Sequence, residues 1–243
     1  IMNYEEKLFD SVKFYNLFSF LQSSEPRAIP EPYRSHIGPY RVSDSVSTFD
    51  KIRVIIHLKQ GDAENMKAWQ HFKTINHHRR LVREGCFRVG LYWQGLCHDL
   101  SKYMPSEFLV GCRYYQGTRS PNNAERERKG YSSAWLHHKG RNRHHYEYWL
   151  DYSVDSEKGI IGMKMPVKYV VEMFMDRIAA CKTYQKGSYN DASPLEYYEK
   201  GAAKLGPMVH PETARLLHHL LRMLASKGEE ETFSYIRHRI LRK

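Results

Sequence analysis

The feature that most constrains the fold is a helical period in the apolar residues along most of the chain. In residues 4–22 the apolar positions repeat at intervals of three and four, as the buried face of an amphipathic helix requires. The same pattern predicts a long helix over about 62–88 and a strongly apolar helix over 167–185. We find no internal repeat and no alternating pattern long enough to predict a sheet. The sequence therefore predicts an all-α fold.

Between these segments the chain is divided by prolines, glycines and polar stretches. Residues 51–61 leave a short helix and a strand open as alternatives. Residues 89–103 predict a helix, and residues 106–115 predict a further one after the break at Pro105. The polar and basic stretch at 117–130 predicts a loop. Two serines before the next helical segment are acceptable N-caps, namely Ser132 and Ser133.

One candidate domain boundary is marked by composition. Residues 24–49 hold four prolines with Gly38 and several serines, and they predict an irregular connector. The predicted organisation is a helix and proline-rich connector over 1–49, a helical domain over 50–190, and C-terminal helices over 191–243 that pack on the same body. A length of 243 residues with 41% hydrophobic content suits one sizeable domain with an appendage rather than two domains.

Charge and cysteine usage narrow the class of protein. No stretch resembles a signal peptide or a membrane span, and the four cysteines form no CxxC pair, so we expect a cytoplasmic protein without a disulfide framework. The net charge of +11 favours an anionic partner. A nucleotide, a nucleic acid and another phosphorylated metabolite all meet that description, and the oligomeric state stays open.

A histidine and an aspartate stand side by side in the otherwise core-like stretch "LCHDLSKYMPSEF", as His98 and Asp99. Imidazole nitrogen and carboxylate oxygen suit Zn, Mn, Fe, Co or Ni and can leave positions open for water or substrate. His77 and His78 lie in the long predicted helix upstream, and Asp176 lies in the apolar helix downstream. A buried unpaired carboxylate costs on the order of several kcal/mol, so Asp176 needs a cation, a hydrogen-bond partner or an exposed face. A single metal bound by this series of residues satisfies that need.

A second histidine-rich segment reads "AWLHHKGRNRHHYEYW". His137 and His144 are seven residues apart, as are His138 and His145, so each pair shares one face if the helix continues through Gly140. One such face would supply further metal ligands. A break at Gly140 would instead give a basic loop with solvated or capping histidines.

Polar residues near these histidines are candidates for binding and orienting a phosphorylated substrate. Lys102, three residues after Asp99, is placed to bind a phosphate oxygen, and the alternative is an exposed lysine paired with a carboxylate. Asn142 is a candidate to orient a substrate or a water. Arg141 and Arg143 are the next cations expected to offset phosphate charge.

These motifs resemble the HD-domain superfamily of metal-dependent phosphohydrolases, helical proteins named for an adjacent His-Asp pair. The resemblance covers roughly residues 65–185 and implies an HD-like helical bundle with extra N- and C-terminal helices. "HDLSKY" with "WLHHKGRNRHHYEYW" is most similar to a small HD-related family of unassigned function. The implied ligands of the first metal are His78, His98, Asp99 and Asp176. For a second metal the resemblance leaves four histidines as candidates, of which His138 and His145 are the expected ligands.

The resemblance implies a metal-dependent phosphohydrolase with one or two divalent ions of Mn, Fe, Zn, Co, Ni or Mg. The expected substrate is a phosphorylated small molecule, with a nucleotide as the expected class. Many hydrolase branches place an acidic residue one turn after the His-Asp pair, where this chain has Lys102, so the usual catalytic carboxylate is in doubt. Two alternatives stay open: an HD-type di-iron oxygenase, and a non-catalytic nucleic-acid-binding protein.

For the remaining motifs we expect structural roles. His218 and His219 predict one half-buried and one exposed histidine on an amphipathic helix. Glu172, one turn before Asp176, either tunes the site or pairs with Lys168.

Overall fold

A computed structural model gives the fold and describes residues 62–205 and 208–242. Within these ranges the all-α prediction is confirmed. The described part of the chain holds eight α-helices: α1 (Asp62–Arg88), α2 (Tyr92–Cys97), α3 (Pro105–Tyr114), α4 (Pro121–Lys129), α5 (Ser133–Lys139), α6 (Val167–Gln185), α7 (Ser193–Leu205) and α8 (Pro211–Tyr235). Short 3-10 helices cover Leu100–Tyr103, Tyr146–Trp149 and Lys186–Ser188, and a π-helix covers Ile236–Ile240.

A small antiparallel hairpin lies between α5 and α6. Strand β1 (Leu150–Tyr152) pairs with β2 (Ile160–Gly162), with Leu150 opposite Gly162. Three residues are too few for the alternation by which a strand is recognised in a sequence, so the hairpin was not predicted.

The core is centred on α6, which packs against α1, α7 and α8. Its Val171 and Phe174 are fully buried, together with Leu220 and Leu224 of α8 and Val82 of α1. A helix that is apolar on most of its surface is expected in the middle of a core. The carboxylates that α6 carries into this core therefore require polar or cationic partners nearby.

The predicted helix over 89–103 is interrupted at the His-Asp pair. Helix α2 ends at Cys97, and Asp99 has left-handed backbone angles of φ 54° and ψ 25°. Asp adopts this conformation more readily than most residues, although it still costs of the order of 1 kcal/mol. Arg79 of α1 holds the break, because its Nε donates to the carbonyl of His98 at 2.8 Å and its Nη2 to that of Leu96 at 3.1 Å.

The polar stretch over 117–130, predicted to be a loop, contains helix α4. Pro121 occupies the first turn, where its missing N–H costs no intrahelical bond, and Gly130 ends the helix with φ 82°. The buried side of α4 consists mainly of Ala124 and Glu125, so an apolar period could not reveal it.

Helix α5 begins where the sequence predicted. The hydroxyl of Ser132 accepts a hydrogen bond from the Trp135 N–H at 3.0 Å, which makes it the N-cap. The helix ends at Lys139, so it does not continue through Gly140. His144 and His145 therefore lie in the irregular segment that follows.

The remaining predictions concern the histidines of α8 and the segments before α1. His218 is half-buried, 3.3 Å from Glu199, and His219 is exposed, as predicted. The helix over 4–22, the connector over 24–49 and the segment over 51–61 lie outside the described residues. In the described ranges we find no helix both long and apolar enough to cross a membrane.

The junction of α4 and α5 is built on Glu125, which is fully buried. Its Oε2 accepts a hydrogen bond from the Ser132 hydroxyl at 2.7 Å, and its Oε1 accepts one from Ser133 at 2.7 Å and one from Lys129 at 3.0 Å. Burial opposes the charged form, but these hydrogen bonds lower the pKa of Glu125 to about 2.

We expect Glu125→Gln to lower the free energy of unfolding at pH 7 by about 1–3 kcal/mol, because buried hydroxyl donors lose a charged acceptor. The folded-state pKa lies below the ordinary value of 4.5, so this stabilisation is present at neutral pH and is lost as the pH falls from 4.5 towards 2. Urea denaturation across that range measures it. Equal stability of both proteins at pH 7 would contradict this role.

Candidate metal centre

Two groups of histidine and aspartate side chains meet at the wall of a cavity of about 500 Å³. Within each group the nearest ligand atoms all lie within 4.8 Å of one another. The first group consists of His78, His98, Asp99 and Asp176, and the second of Asp99, His138, His144 and His145. The four residues implied for the first metal therefore converge, and Asp99 belongs to both groups.

Five different elements position these side chains. Helix α1 carries His78, the break after α2 carries His98 and Asp99, and α5 carries His138. The irregular segment after α5 carries the last two histidines, and α6 carries Asp176. The contacts of α1 with α6 and of α3 with α5 bring these elements together.

The carboxylate of Asp99 faces the two groups with different oxygens. Its Oδ2 lies 3.4 Å from Nε2 of His98 and 3.7 Å from Nε2 of His78. Its Oδ1 lies 3.2 Å from Nε2 of His138 and 3.4 Å from Nε2 of His144. This arrangement is suited to a carboxylate that bridges two cations.

Several of these buried atoms have no hydrogen-bond partner among the described residues. They are Nε2 of His98 and His144 and Oδ1 of Asp99. Nε2 of His78 lies 2.9 Å from Oδ1 of Asp176, and Oδ2 of Asp99 lies 2.6 Å from Nζ of Lys102. Buried polar atoms are nearly always hydrogen-bonded, because leaving one unpaired costs about 1–3 kcal/mol. Unpaired nitrogen and oxygen atoms that face one another fit the ligands of a divalent metal, so the residues present suit such an ion.

Glu172 belongs to neither group and contacts one histidine of each. Its Oε1 accepts hydrogen bonds from Nδ1 of His98 at 2.9 Å and from Nδ1 of His144 at 3.1 Å. A proton on each Nδ1 leaves Nε2 with its lone pair directed at the centre, as for metal-bound histidines. Of the two roles expected for Glu172, the contacts therefore correspond to tuning the site.

Glu107 has the matching position beside the second group. Its Oε2 lies 2.7 Å from Nδ1 of His138, and its Oε1 lies 2.5 Å from Nδ1 of His137. His137 thus contacts this outer carboxylate and belongs to neither group. Asn142 donates to the His138 carbonyl and to the Ser101 hydroxyl, each at 2.8 Å, so it braces α5 rather than facing the cavity.

The electrostatics favour charged carboxylates. Burial opposes ionisation of Asp99, but the positive charges of His98 and Lys102 hold its pKa well below the usual range. Burial likewise opposes ionisation of Asp176, and its contacts with Nε2 of His78 at 2.9 Å and Nε2 of His98 at 3.6 Å hold its pKa well below the usual range. Burial, with the charges of neighbouring histidines, lowers the pKa of His145 well below its usual value. Burial opposes the charged form of His98, but Asp99 raises the pKa of this imidazole well above its usual value. A metal binds ionised carboxylates and neutral imidazoles, so binding here would displace the proton of His98.

The predicted cations have different positions. Lys102 lines the cavity, with Nζ 2.6 Å from Oδ2 of Asp99. Arg141 is exposed and donates to the carbonyl of His137 at 3.3 Å, and Arg143 is exposed with a weak contact to a tyrosine hydroxyl. Neither arginine lines the cavity, since both side chains are exposed.

Two further residues were not singled out from the sequence. His144 was left among four candidates, yet it is 1% exposed and faces Asp99. His71 lies two turns before His78 on α1, lines the cavity, and has a buried Nδ1 without a hydrogen-bond partner among the described residues. Burial, followed by the charge of Lys102, lowers the pKa of His71 to about 4. A Cβ at Gly111 would lie 2.0 Å from Nε2 of His71, so any other residue at this position would displace the imidazole.

Residues 67–223 match the model of a family of unknown function, DUF5662. This match covers more than half of the chain. The chain belongs to this family. The matched range contains every member of both groups, and also Glu107 and Glu172. The comparisons with curated proteins and with solved structures give no match.

Substitution of Asp99 should affect both groups at once. We expect Asp99→Ala to lose both bound ions, because each group loses an oxygen ligand, whereas Asp176→Ala should weaken only the first site. Elemental analysis gives the metal content and circular dichroism the helical content, which should stay largely intact. The control is Asp151→Ala, an exposed carboxylate on β1. Full metal content in Asp99→Ala would show that the centre is wrongly assigned.

Proposed function

We propose that this protein is a metal-dependent phosphohydrolase of the HD-domain type that acts on a phosphorylated small molecule, with a nucleotide as the expected class. The observation that carries the proposal is the pair of groups sharing Asp99 in a cavity wall that also holds Lys102. A site for hydrolysis needs ligands for a cation, a cationic contact for phosphate, and space for the substrate. A cavity of about 500 Å³ has the volume of a typical small-molecule site.

His78, His98 and Asp176 with Oδ2 of Asp99 would hold one ion, and the three histidines of the second group with Oδ1 would hold another. Mixed nitrogen and oxygen ligands favour Mn, Fe, Zn, Co or Ni over Mg, which prefers oxygen. When bound, such ions lower the pKa of water and polarise phosphoryl oxygens.

Lys102 supplies the positive charge nearest to the centre. Its ammonium is only partly exposed and lies on the cavity side, so a phosphoryl oxygen entering the cavity can take it as a hydrogen-bond donor. A fixed cation in a partly water-excluded site stabilises charge that develops on the phosphoryl oxygens. His71, neutral and buried, is a candidate donor or acceptor for an uncharged part of the substrate.

The second group supports a di-iron oxygenase as a second candidate. Three histidines around one oxygen of a shared carboxylate form a nitrogen-rich pocket that suits iron as well as zinc or manganese. Two irons per chain together with oxygen consumption would favour this candidate over hydrolysis.

The test of hydrolysis is phosphate release from a panel of phosphorylated metabolites by protein loaded with Mn²⁺, Fe²⁺, Co²⁺ or Zn²⁺. We expect release with at least one metal and a much lower rate in Asp99→Ala. Oxygen consumption by the iron-loaded protein without any phosphate release would overturn the hydrolase proposal.

Lys102→Met should keep the metal, since no ligand is removed, and should lower kcat/KM on phosphorylated substrates. Loss of a charged hydrogen bond costs about 1.5–3 kcal/mol, which corresponds to roughly a 10- to 150-fold decrease. The control is Lys158→Met, which removes an exposed lysine with the same i,i+3 pairing to an aspartate, Asp155, at 3.0 Å. Its effect should be well under about 1 kcal/mol. An unchanged rate with unchanged metal in Lys102→Met would exclude the phosphate contact and leave the metal site standing.

A further inference from the structure

Three lysine and arginine side chains line the cavity, and Arg177 is one of them. It follows Asp176 on α6, and its buried Nε has no hydrogen-bond partner among the described residues. None of the ion pairs formed between described residues includes its guanidinium. The other two cations in the wall are paired, Lys102 with Asp99 at 2.6 Å and Arg119 with Glu127.

The buried Nε of Arg177 has lost contact with water without gaining an acceptor, which is unusual. Burial raises the pKa of the neighbouring Glu147, and the charge of Arg177 acts against that rise, but no ion pair or hydrogen bond forms between the two side chains. The guanidinium carbon of Arg177 lies 5.4 Å from the centroid of the Tyr198 ring. This contact restrains the guanidinium but satisfies none of its N–H donors. The planar guanidinium of Arg177 can donate two parallel N–H hydrogen bonds into the cavity, and this geometry matches the two oxygens of a phosphate or carboxylate.

Arg177 and Lys102 contact different elements around the cavity. Lys102 pairs with Asp99 at the break after α2, whereas Arg177 lies on α6 over the Tyr198 ring of α7. Both side chains line the cavity, so it presents two cations held by different neighbours.

We propose that Arg177 binds a second anionic group of the substrate, a phosphate or a carboxylate, while the phosphoryl group to be cleaved lies near Lys102. The substrate class is then a small molecule with two separated oxyanion groups. This inference rests on the proposed function for the place of the first group. Binding by Arg177 can nevertheless be measured without turnover.

The experiment is a calorimetric titration of the Mn²⁺-loaded protein with alkyl monophosphates and with α,ω-alkanediol bisphosphates of increasing chain length. At one spacer length we expect the bisphosphate to bind about 10- to 150-fold more tightly than the matching monophosphate, the range for a charged hydrogen bond. Arg177→Gln should lose this preference while keeping monophosphate affinity and metal content. Arg222→Gln, an exposed arginine on α8 with the same change in charge, should keep the preference.

Three results would overturn the inference: equal affinity of the wild type for both probes at every length, an equal loss for both probes in Arg177→Gln, or no loss in that variant. If Arg177→Gln does not fold, Arg177→Lys serves instead, and it should keep part of the preference because it retains the charge without the planar guanidinium. Failure of the proposed function has a different signature. It would give no phosphate release from any metabolite, whatever the preference for bisphosphates.

Discussion

The buried carboxylate of Asp99 is the interaction on which the rest of the centre depends. It is 1% exposed, and a charge so far from water is stable only among compensating partners. Its two oxygens face different sets of imidazoles, so the same residue defines both groups. The left-handed backbone of Asp99 is the local cost of directing the carboxylate inward. The hydrogen bond from Arg79 to the His98 carbonyl stabilises that conformation.

Helix α6 connects the stability of the fold with the chemistry of the centre. It lies in the middle of the core and carries two carboxylates on successive turns, Asp176 within the first group and Glu172 behind it. Because Glu172 contacts both His98 and His144, a shift of α6 would displace ligands of both groups together. Under the proposed function, metal binding and packing of the core would stabilise each other.

The long helices were predicted because an apolar period is a local signal. The choice of His78 with His98, Asp99 and Asp176 followed from the resemblance to the HD-domain superfamily. The helix break at Asp99 was not predicted, since it depends on Arg79 from another helix. Helix α4 was missed because its buried polar residue, Glu125, is satisfied mainly by Ser132 and Ser133 at the start of α5. The positions of His144 and Arg141 depend on the backbone path after α5. Residues close to them in the sequence do not determine that path.

The most direct test of the account is anomalous diffraction from crystals of the Mn²⁺-loaded protein. The account predicts two peaks on either side of the Asp99 carboxylate, roughly 3.5–4 Å apart as in two-metal sites, with ligand atoms at roughly 2.0–2.3 Å. Manganese bound elsewhere, with no peak within coordinating distance of Asp99, would contradict it.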